Sequence, residues 1–306
     1  MLVRTARTEE IEPAIRVVLG GGAMQVSEQH VQEFIAYARS RDIDLGGVWV
    51  CEQGGKIAQA MLPVVSPGRT MLLLSPPSLQ GAVAEHQMKR LIEAACDAGR
   101  KKDIHLAQAL VDPQEETLQR AYRSSGFLVM AELIYLTTDV RSNAAFPDLS
   151  PGLTWETYSP ATHALFTQAI AASYHNSLDC PALNGMREME DVVLGHKASG
   201  EFNPDLWFLL CEGRKPLGVL LLAVSGRNDL VELVYLGLAA EARGKKLGEV
   251  LMRQALAVTA HEHRQRLTLA VDSKNVPALK LYYRHGMSRI ATKYALMKAL
   301  GRGACA

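Results

Sequence analysis

The spacing of apolar residues along the chain switches repeatedly between the period of a strand and that of a helix. Residues 2–5 predict a short strand, followed by a helix with Thr8 as its N-cap, Glu9 and Glu10 in its first turn, and Gly20 to Gly22 as its stop. A second helix is expected over 27–39. Strands follow at 47–51, 57–65 and 70–74, the first two joined by the hairpin signal Gln53-Gly54-Gly55. Beyond Ser75-Pro76-Pro77 a long helix is expected over 82–97, with Met88, Leu91, Ile92 and Ala95 on one stripe. A strand at 104–111, a helix over 113–124 stopped by Gly126, and two strands near 128–136 complete this half.

Residues 141–152, polar with glycine and proline, predict a linker, and the order then repeats. A strand at 153–156 and a helix over 161–172 come first. An irregular segment, 173–184, leads to a helix over 186–197 and strands at 206–211, 217–223 and 230–238. A helix reaching about residue 260, a strand at 267–271 and a short helix before Gly286 close the pattern. Individual residues recur at a constant offset of 160: Cys51-Glu52 with Cys211-Glu212, Val111-Asp112 with Val271-Asp272, Tyr122 with Tyr282, and Gly126 with Gly286. The expected architecture is therefore α/β, two copies of one domain, each a mixed and mostly antiparallel sheet flanked by helices. The expected boundaries are 1–140, a linker over 141–152, and 153–306.

Composition narrows the function classes. The chain has 306 residues, 48% hydrophobic and 21% charged, enough for two cores. A net charge of +1 with interspersed signs gives no basic face for nucleic acid or anionic membrane. Five scattered cysteines without a CxxC pair disfavour a disulfide framework and a zinc site, so a reduced cytoplasm and no metal are expected. His261-Glu262-His263 lacks ligand spacing and reads as a solvated helix end. Neither a signal peptide nor an apolar run long enough to span a membrane is expected.

The stretch from Asp229 to Gly248, DLVELVYLGLAAEARGKKLG, runs from an apolar strand through a bend into a glycine-bearing turn that opens a helix. Free backbone N–H groups and the helix dipole then converge on one point, which suits a phosphate. Gly244 and Gly248 let backbone approach a pyrophosphate, and Arg243, Lys245 and Lys246 add charge. By itself RGKKLG marks either a phosphate cradle or a solvated basic turn. Asn275 stands at an N-cap, with Val276 and Pro277 in the first turn; Ala278, Leu281 and Tyr282 share one helix face. Glu232 is the only charge on the strand 230–238, in the alternation of Val234, Leu236 and Leu238, and reads equally as a general base or as an edge or salt-bridged carboxylate.

These residues resemble the GCN5-related N-acetyltransferases. Arg243-Gly244-Lys245-Lys246-Leu247-Gly248 is similar to the family's Arg-Gly-x-Gly-x-Gly, with Lys246 in place of a glycine, so that its amide needs an unstrained helical conformation. Asn275, Ala278, Leu281-Tyr282 and Gly286-Met287 match the second signature. The resemblance implies acetyl-CoA as co-substrate and transfer of its acetyl group to a primary amine, with Tyr282 protonating the thiolate and Glu232 as base. It implies pantetheine pairing near Leu236 and Leu238, an oxyanion donor at the Leu238 N–H, and coenzyme contact by Asn275 besides its capping. The acceptor would fall near Tyr174, His175 and Asp179, in the irregular segment.

The first half lacks these devices. VAEHQM, residues 83–88, stands where RGKKLG does, prolines precede it and Glu115 replaces Asn275, although Tyr122 remains. A degenerate first copy and one catalytic copy are expected, with a small-molecule amine as acceptor. The tandem order resembles the mycothiol synthases. The competing expectations are a non-catalytic acyl-CoA sensor and an aminoacyl transferase using charged tRNA. The sensor has no need of both Glu232 and Tyr282, and the tRNA reading wants a basic groove that the composition lacks.

Overall fold

Hairpin turns and crossover helices alternate along the chain; of the predicted helix stop Gly20 to Gly22, Gly21 and Gly22 lie outside the described residues. The computed structural model describes residues 1–20, 26–224 and 229–301. The order is β1 (Leu2–Thr5), α1 (Ile11–Gly20), α2 (Glu28–Ser40), β2 (Trp49–Gln53), β3 (Lys56–Ser66), β4 (Thr70–Leu74), α3 (Gly81–Lys101), β5 (Leu106–Val111), α4 (Glu116–Ser124) and β6 (Leu128–Asp139). It continues with β7 (Leu153–Thr157), α5 (His163–Tyr174), α6 (Met189–Ala198), β8 (Trp207–Glu212), β9 (Lys215–Val224), β10 (Leu230–Leu238), α7 (Leu247–His261), β11 (Arg266–Asp272), α8 (Val276–Arg284) and β12 (Ser288–Ala299).

Local chemistry explains most boundaries. The Ser27 hydroxyl accepts from the His30 N–H at 3.2 Å and caps α2. Thr8 is not the cap expected of it: a 3-10 turn spans Thr8–Glu10, and the Glu10 carboxylate accepts from the Arg7 N–H at 2.8 Å. The two strands expected near 128–136 are one, β6, and β12 has no counterpart among the expected elements. Its place was nonetheless legible, because β12 begins 160 positions after β6, the offset already carried by Tyr122 and Tyr282.

Residue contacts divide the chain into two compact units, 1–131 with 293–306, and 132–292. This differs from the contiguous halves expected. In the first unit the strands run β1-β2-β3-β4-β5-β12, with Tyr294–Ala299 antiparallel to Leu106–Val111. In the second they run β6-β11-β10-β9-β8-β7, with Asp139–Leu133 antiparallel to Arg266–Asp272. Each unit thus takes its last strand from the other half of the sequence. Within each unit the strand pairs among the described residues are antiparallel except β4 with β5 and β10 with β11, which agrees with the mixed sheets expected.

The second unit has apolar layers on both faces of its sheet. Leu251, Met252, Ala255 and Val258 of α7 and Leu281 of α8 cover Val231, Leu233, Leu267 and Leu269. Phe166, Ala169 and Ile170 of α5 with Val192 and Val193 of α6 cover Trp207, Leu209, Val219 and Leu221. Burial of each such large side chain contributes about 1.5–3 kcal/mol. The site described below is built on this frame. Among the described residues, no helix is long and apolar enough to cross a membrane.

Candidate active site

The parallel strands β10 and β11 pair over only three positions, Leu230 with Arg266, Val231 with Leu267 and Glu232 with Thr268, and then part. From Leu233 to Leu238, β10 pairs with β9 alone. The Ala239 N–H donates to Leu217 O at 2.9 Å, so by antiparallel alternation the N–H and C=O groups of Leu238 and Leu236 point away from β9, to the open edge. An unpaired strand edge of this kind accepts an extended amide-bearing chain. Below it lies a cavity of about 1030 Å³, lined among others by Leu236, Leu238, Gly244, Leu247, Asn275, Ala278 and Tyr282.

At one end of this cavity α7 begins. The amides of Gly244, Lys245, Lys246, Leu247 and Gly248 make no hydrogen bond among the described residues, leaving a row of free donors at a helix N-terminus. Gly244 has φ +75°, and a Cβ there would meet nothing within 4 Å, so its side is open to a ligand. Lys246 is in the left-handed region at φ 60°, ψ 12°. The helical conformation expected of it is not adopted, and the family's glycine at this place has a physical reason. A Cβ on Gly248 would lie 3.3 Å from Leu281, so this glycine serves the packing of α7 on α8.

Arg243 lines the cavity and also braces its wall. Its guanidinium donates to three carbonyls, Nε to Leu238 O at 3.2 Å, Nη1 to Asn176 O at 3.0 Å and Nη2 to Ser173 O at 2.8 Å. It ties the end of β10 to the chain leaving α5. Lys245 is exposed and does not line the cavity; Lys246 does. The Asn275 side chain accepts from the Ala278 N–H at 3.3 Å, which is the capping role, and it also borders the cavity.

Glu232 does not lie where the alternation of β10 places it. Val234 is an extra residue against β9: Leu233 faces Leu222 and Tyr235 faces Leu221. Val231 and Leu233 pack toward α7 before this bulge, and Leu236 and Leu238 do so after it. Glu232 therefore shares the α5 face with Val234 and Tyr235, and it does not line the cavity. Neither a hydrogen bond nor an ion pair holds it among the described residues. It is no edge residue either, since β10 lies between β9 and β11. The residue is exposed, yet partial desolvation of its carboxyl raises its pKa.

Tyr282, on α8, is 5% exposed and lines the cavity. Its phenolic oxygen makes no hydrogen bond among the described residues. Burial, and then the charge of Asp179, raise its pKa, so the phenol keeps its proton throughout the neutral range. Of the three acceptor-site residues expected, Asp179 lines the cavity, whereas Tyr174 and His175 do not. Tyr174 packs edge-on against Tyr235 at 6.1 Å, and burial pushes its phenol up to about 12; His175 is exposed.

Several lining residues carried no signal in the sequence. Tyr235 and Ser173 meet at 2.7 Å, and Ser173 Oγ donates to Ile170 O at 2.7 Å. Gly237 admits this contact, since a Cβ there would lie 2.6 Å from Ser173 Oγ. Behind Tyr235 stands the His196 ring at 5.1 Å, its pKa pulled down to about 4 by burial and then by Arg187. Pro147 and Asp148, from the segment expected as a linker, also line the cavity, as do Arg253 and Arg284. Arg284 is paired with Glu249 at 2.6 Å.

Residues 173–287 match the acetyltransferase (GNAT) family. A mycothiol acetyltransferase from Streptomyces bingchenggensis is 30% identical over 149 residues, 48% of this chain and 46% of that protein. The chain thus aligns with about half the length of this curated relative. Among solved structures, a GCN5-related N-acetyltransferase from Sphaerobacter thermophilus is similar with a TM-score of 0.67 and 15% identity, over 99% of this chain and 96% of that one. A tandem GNAT protein from the clavulanic acid biosynthesis pathway has a TM-score of 0.55 and 14% identity, over 99% and 98%. Segment 173–287 contains the parted strands, the row of free amides and Tyr282, and the likeness of fold extends over both units. Residues 173–287 are thus similar to the acetyltransferase (GNAT) family, and the chain as a whole shares the fold of tandem-GNAT structures.

Proposed function

We propose that the second unit transfers an acetyl group from acetyl-CoA to a primary amine, that of a small molecule. The observation that carries this reading is the meeting, in one cavity, of three features: the open edge of β10, the free amides of Gly244 to Gly248, and the unpartnered phenol of Tyr282. Acetyl-CoA fits these residues, because its pyrophosphate suits the amide row and its pantetheine amides suit a strand edge. When bound it supplies an activated acetyl thioester. Leu236 and Leu238 hold the extended chain through backbone groups, Gly244 to Gly248 bind phosphate, Lys246 adds charge, and Asn275 borders the same cavity.

The Tyr282 hydroxyl, kept protonated by burial, delivers its proton to the departing sulfur. The Leu238 N–H faces the open edge and serves as donor to the developing oxyanion. Glu232, its pKa raised by desolvation, takes the proton of the amine; from the α5 face it does so through water. Tyr174 and His175 lie in the acceptor segment without lining the cavity.

The first unit is read as a degenerate copy that supports the other. Tyr122 stands in α4 where Tyr282 stands in α8, yet its hydroxyl is spent on Leu73 O at 3.4 Å and Ser75 Oγ at 3.3 Å. The competing reading, an acyl-CoA sensor without turnover, is separated by one experiment. Thiol release from acetyl-CoA is followed across a panel of primary amines with the full chain. Acceleration by at least one amine is expected; acetyl-CoA binding with no acceleration by any would establish the sensor instead.

A further inference from the structure

The segment 173–184 is fastened at two places, its beginning and its middle. Arg243 holds its beginning, and its middle is clipped to the end of β11 by a reciprocal pair of bonds. The Asp272 N–H donates to Asp179 Oδ1 at 3.3 Å, and the Cys180 N–H donates to Asp272 Oδ2 at 3.2 Å. Asp272 Oδ1 accepts from the Lys274 N–H at 2.9 Å, so both oxygens of this buried carboxylate are used. Asp179 keeps one oxygen free. Cys180 follows it at φ 45°, ψ 52°, a left-handed conformation unfavourable for a non-glycine residue and held here by the clip.

Two carboxylates therefore lie side by side where the cavity meets the acceptor segment. Neither has a lysine, arginine or histidine partner among the described residues. Burial and the charge of Asp272 both push the Asp179 carboxyl above the ordinary carboxylate range. Opposite stands Tyr282, 95% buried, its hydroxyl unpartnered and lining the same cavity, close enough for Asp179 to raise its pKa. A row of donors for anions at one end and an uncompensated anionic pair at the other suit a ligand arrangement of opposite polarity. None of the four basic residues on the cavity makes an ion pair with either carboxylate among the described residues: Arg243 donates to three carbonyls, Arg284 pairs with Glu249, and Lys246 and Arg253 pair with neither Asp179 nor Asp272.

We propose that Asp179, backed by Asp272, is the residue that selects the acceptor: it binds a primary ammonium group on a neutral or cationic scaffold and rejects amines with a neighbouring carboxylate. This rests on the acetyl-transfer reading for its substrate class. The charge makes the selection, since a second carboxylate brought against Asp179 and Asp272 is repelled in a partly desolvated place. The free oxygen of Asp179 gives the ammonium a charge-assisted hydrogen bond and sets the nitrogen on the Tyr282 side of the cavity.

The test uses the full chain with two probe pairs that differ in charge beside the amine, glycinamide against glycine and 1,5-diaminopentane against 5-aminopentanoate. Binding to the protein saturated with coenzyme A is followed by calorimetry, and thiol release from acetyl-CoA gives turnover. The wild type is expected to favour the carboxylate-free member of each pair by about tenfold or more, the value of one charged hydrogen bond. Asp179→Asn keeps an oxygen for the Asp272 N–H, so it preserves the clip. It is expected to bring the preference below about threefold, raising KM for the amine more than it lowers kcat. Asp179→Glu restores part of the preference. Equal binding of both members, unchanged preference in Asp179→Asn, or no amine bound by wild type overturns the proposal. If amines bind with the Asp179-dependent preference yet none accelerates thiol release, the transfer reading fails and the selection stands.

Discussion

Tyr122 and Tyr282 occupy the same place in the two copies, 160 positions apart, but only Tyr122 has its hydroxyl hydrogen-bonded. The two phenols are buried alike, and burial raises both pKa values. The difference lies in what the hydroxyl faces, carbonyl and serine oxygens in one unit and a cavity in the other.

This contrast gives opposite expectations for one substitution. Tyr282→Phe is expected to lower kcat about 10²-fold or more while changing acetyl-CoA affinity little, as loss of a general acid does. Tyr122→Phe should leave turnover unchanged and cost about 1 kcal/mol of stability, the value of a weak hydrogen bond. Steady-state kinetics and urea unfolding of both variants decide it. Unchanged turnover in Tyr282→Phe with a verified acceptor removes the assigned role.

Lys246 stores backbone strain at the mouth of the site. Replacing it by glycine at φ 60° relieves the clash of its Cβ and is expected to stabilise the protein by about 0.5–1 kcal/mol, while Lys246→Ala gives no such gain. Chemical denaturation at fixed pH reads the difference. Equal stability of the glycine and alanine variants would show that the left-handed conformation is not strained.

His196 makes stability depend on pH in a defined window. Its folded pKa of about 4 lies below the unfolded value of 6.5, so the unfolded chain binds the extra proton between these values. The stability due to its burial as a neutral ring is complete above pH 6.5 and is lost as pH falls toward 4, at a slope of at most about 1.4 kcal/mol per pH unit. His196→Gln should flatten this limb when unfolding is measured at pH 4.5, 5.5 and 6.5. A parallel pH profile for the variant would contradict it.

The first unit is expected to fail when cut from the rest at residue 140. Such a fragment lacks Tyr294–Ala299 on the edge of β5, and loses Leu296 and Leu300 from its core, where they are 0% and 7% exposed. Removal of two buried leucines costs on the order of 4 kcal/mol, a large part of the stability of a small domain. Circular dichroism and gel filtration of residues 1–140 should show an unfolded or aggregated chain, and addition of a peptide covering 288–301 should restore structure. A cooperatively folded fragment would refute the dependence on β12.

The sequence by itself determined the elements and the repeat, because hydrophobic period, turn residues and caps are local. It set Leu236, Leu238, Gly244, Gly248 and Asn275 beside one another, and it carried Tyr282, since a strand-turn-helix unit brings its residues together with few degrees of freedom. β12 was lost for a different reason: its residues alternate poorly, with only Ala295 and Leu296 fully buried, and only the repeat offset would have revealed it.

What the tertiary structure alone decided depends on contacts distant in sequence or on single backbone angles. One extra residue at Val234 reverses the side-chain faces of β10, which moves Glu232 from the face of Leu236 to the α5 side; a bulge has no clear mark in an apolar run. Arg243 was read as charge beside the amide row; only the structure shows that it also donates to the carbonyls of Ser173 and Asn176, some seventy positions earlier. Asp179 was one polar residue in a polar loop until Asp272, on the end of β11, fixed its carboxylate on the cavity that Tyr282 also lines. Pairing between strands is set by packing energy summed over the whole sheet, and so the units exchange their last strands across a boundary that composition placed at residues 141–152.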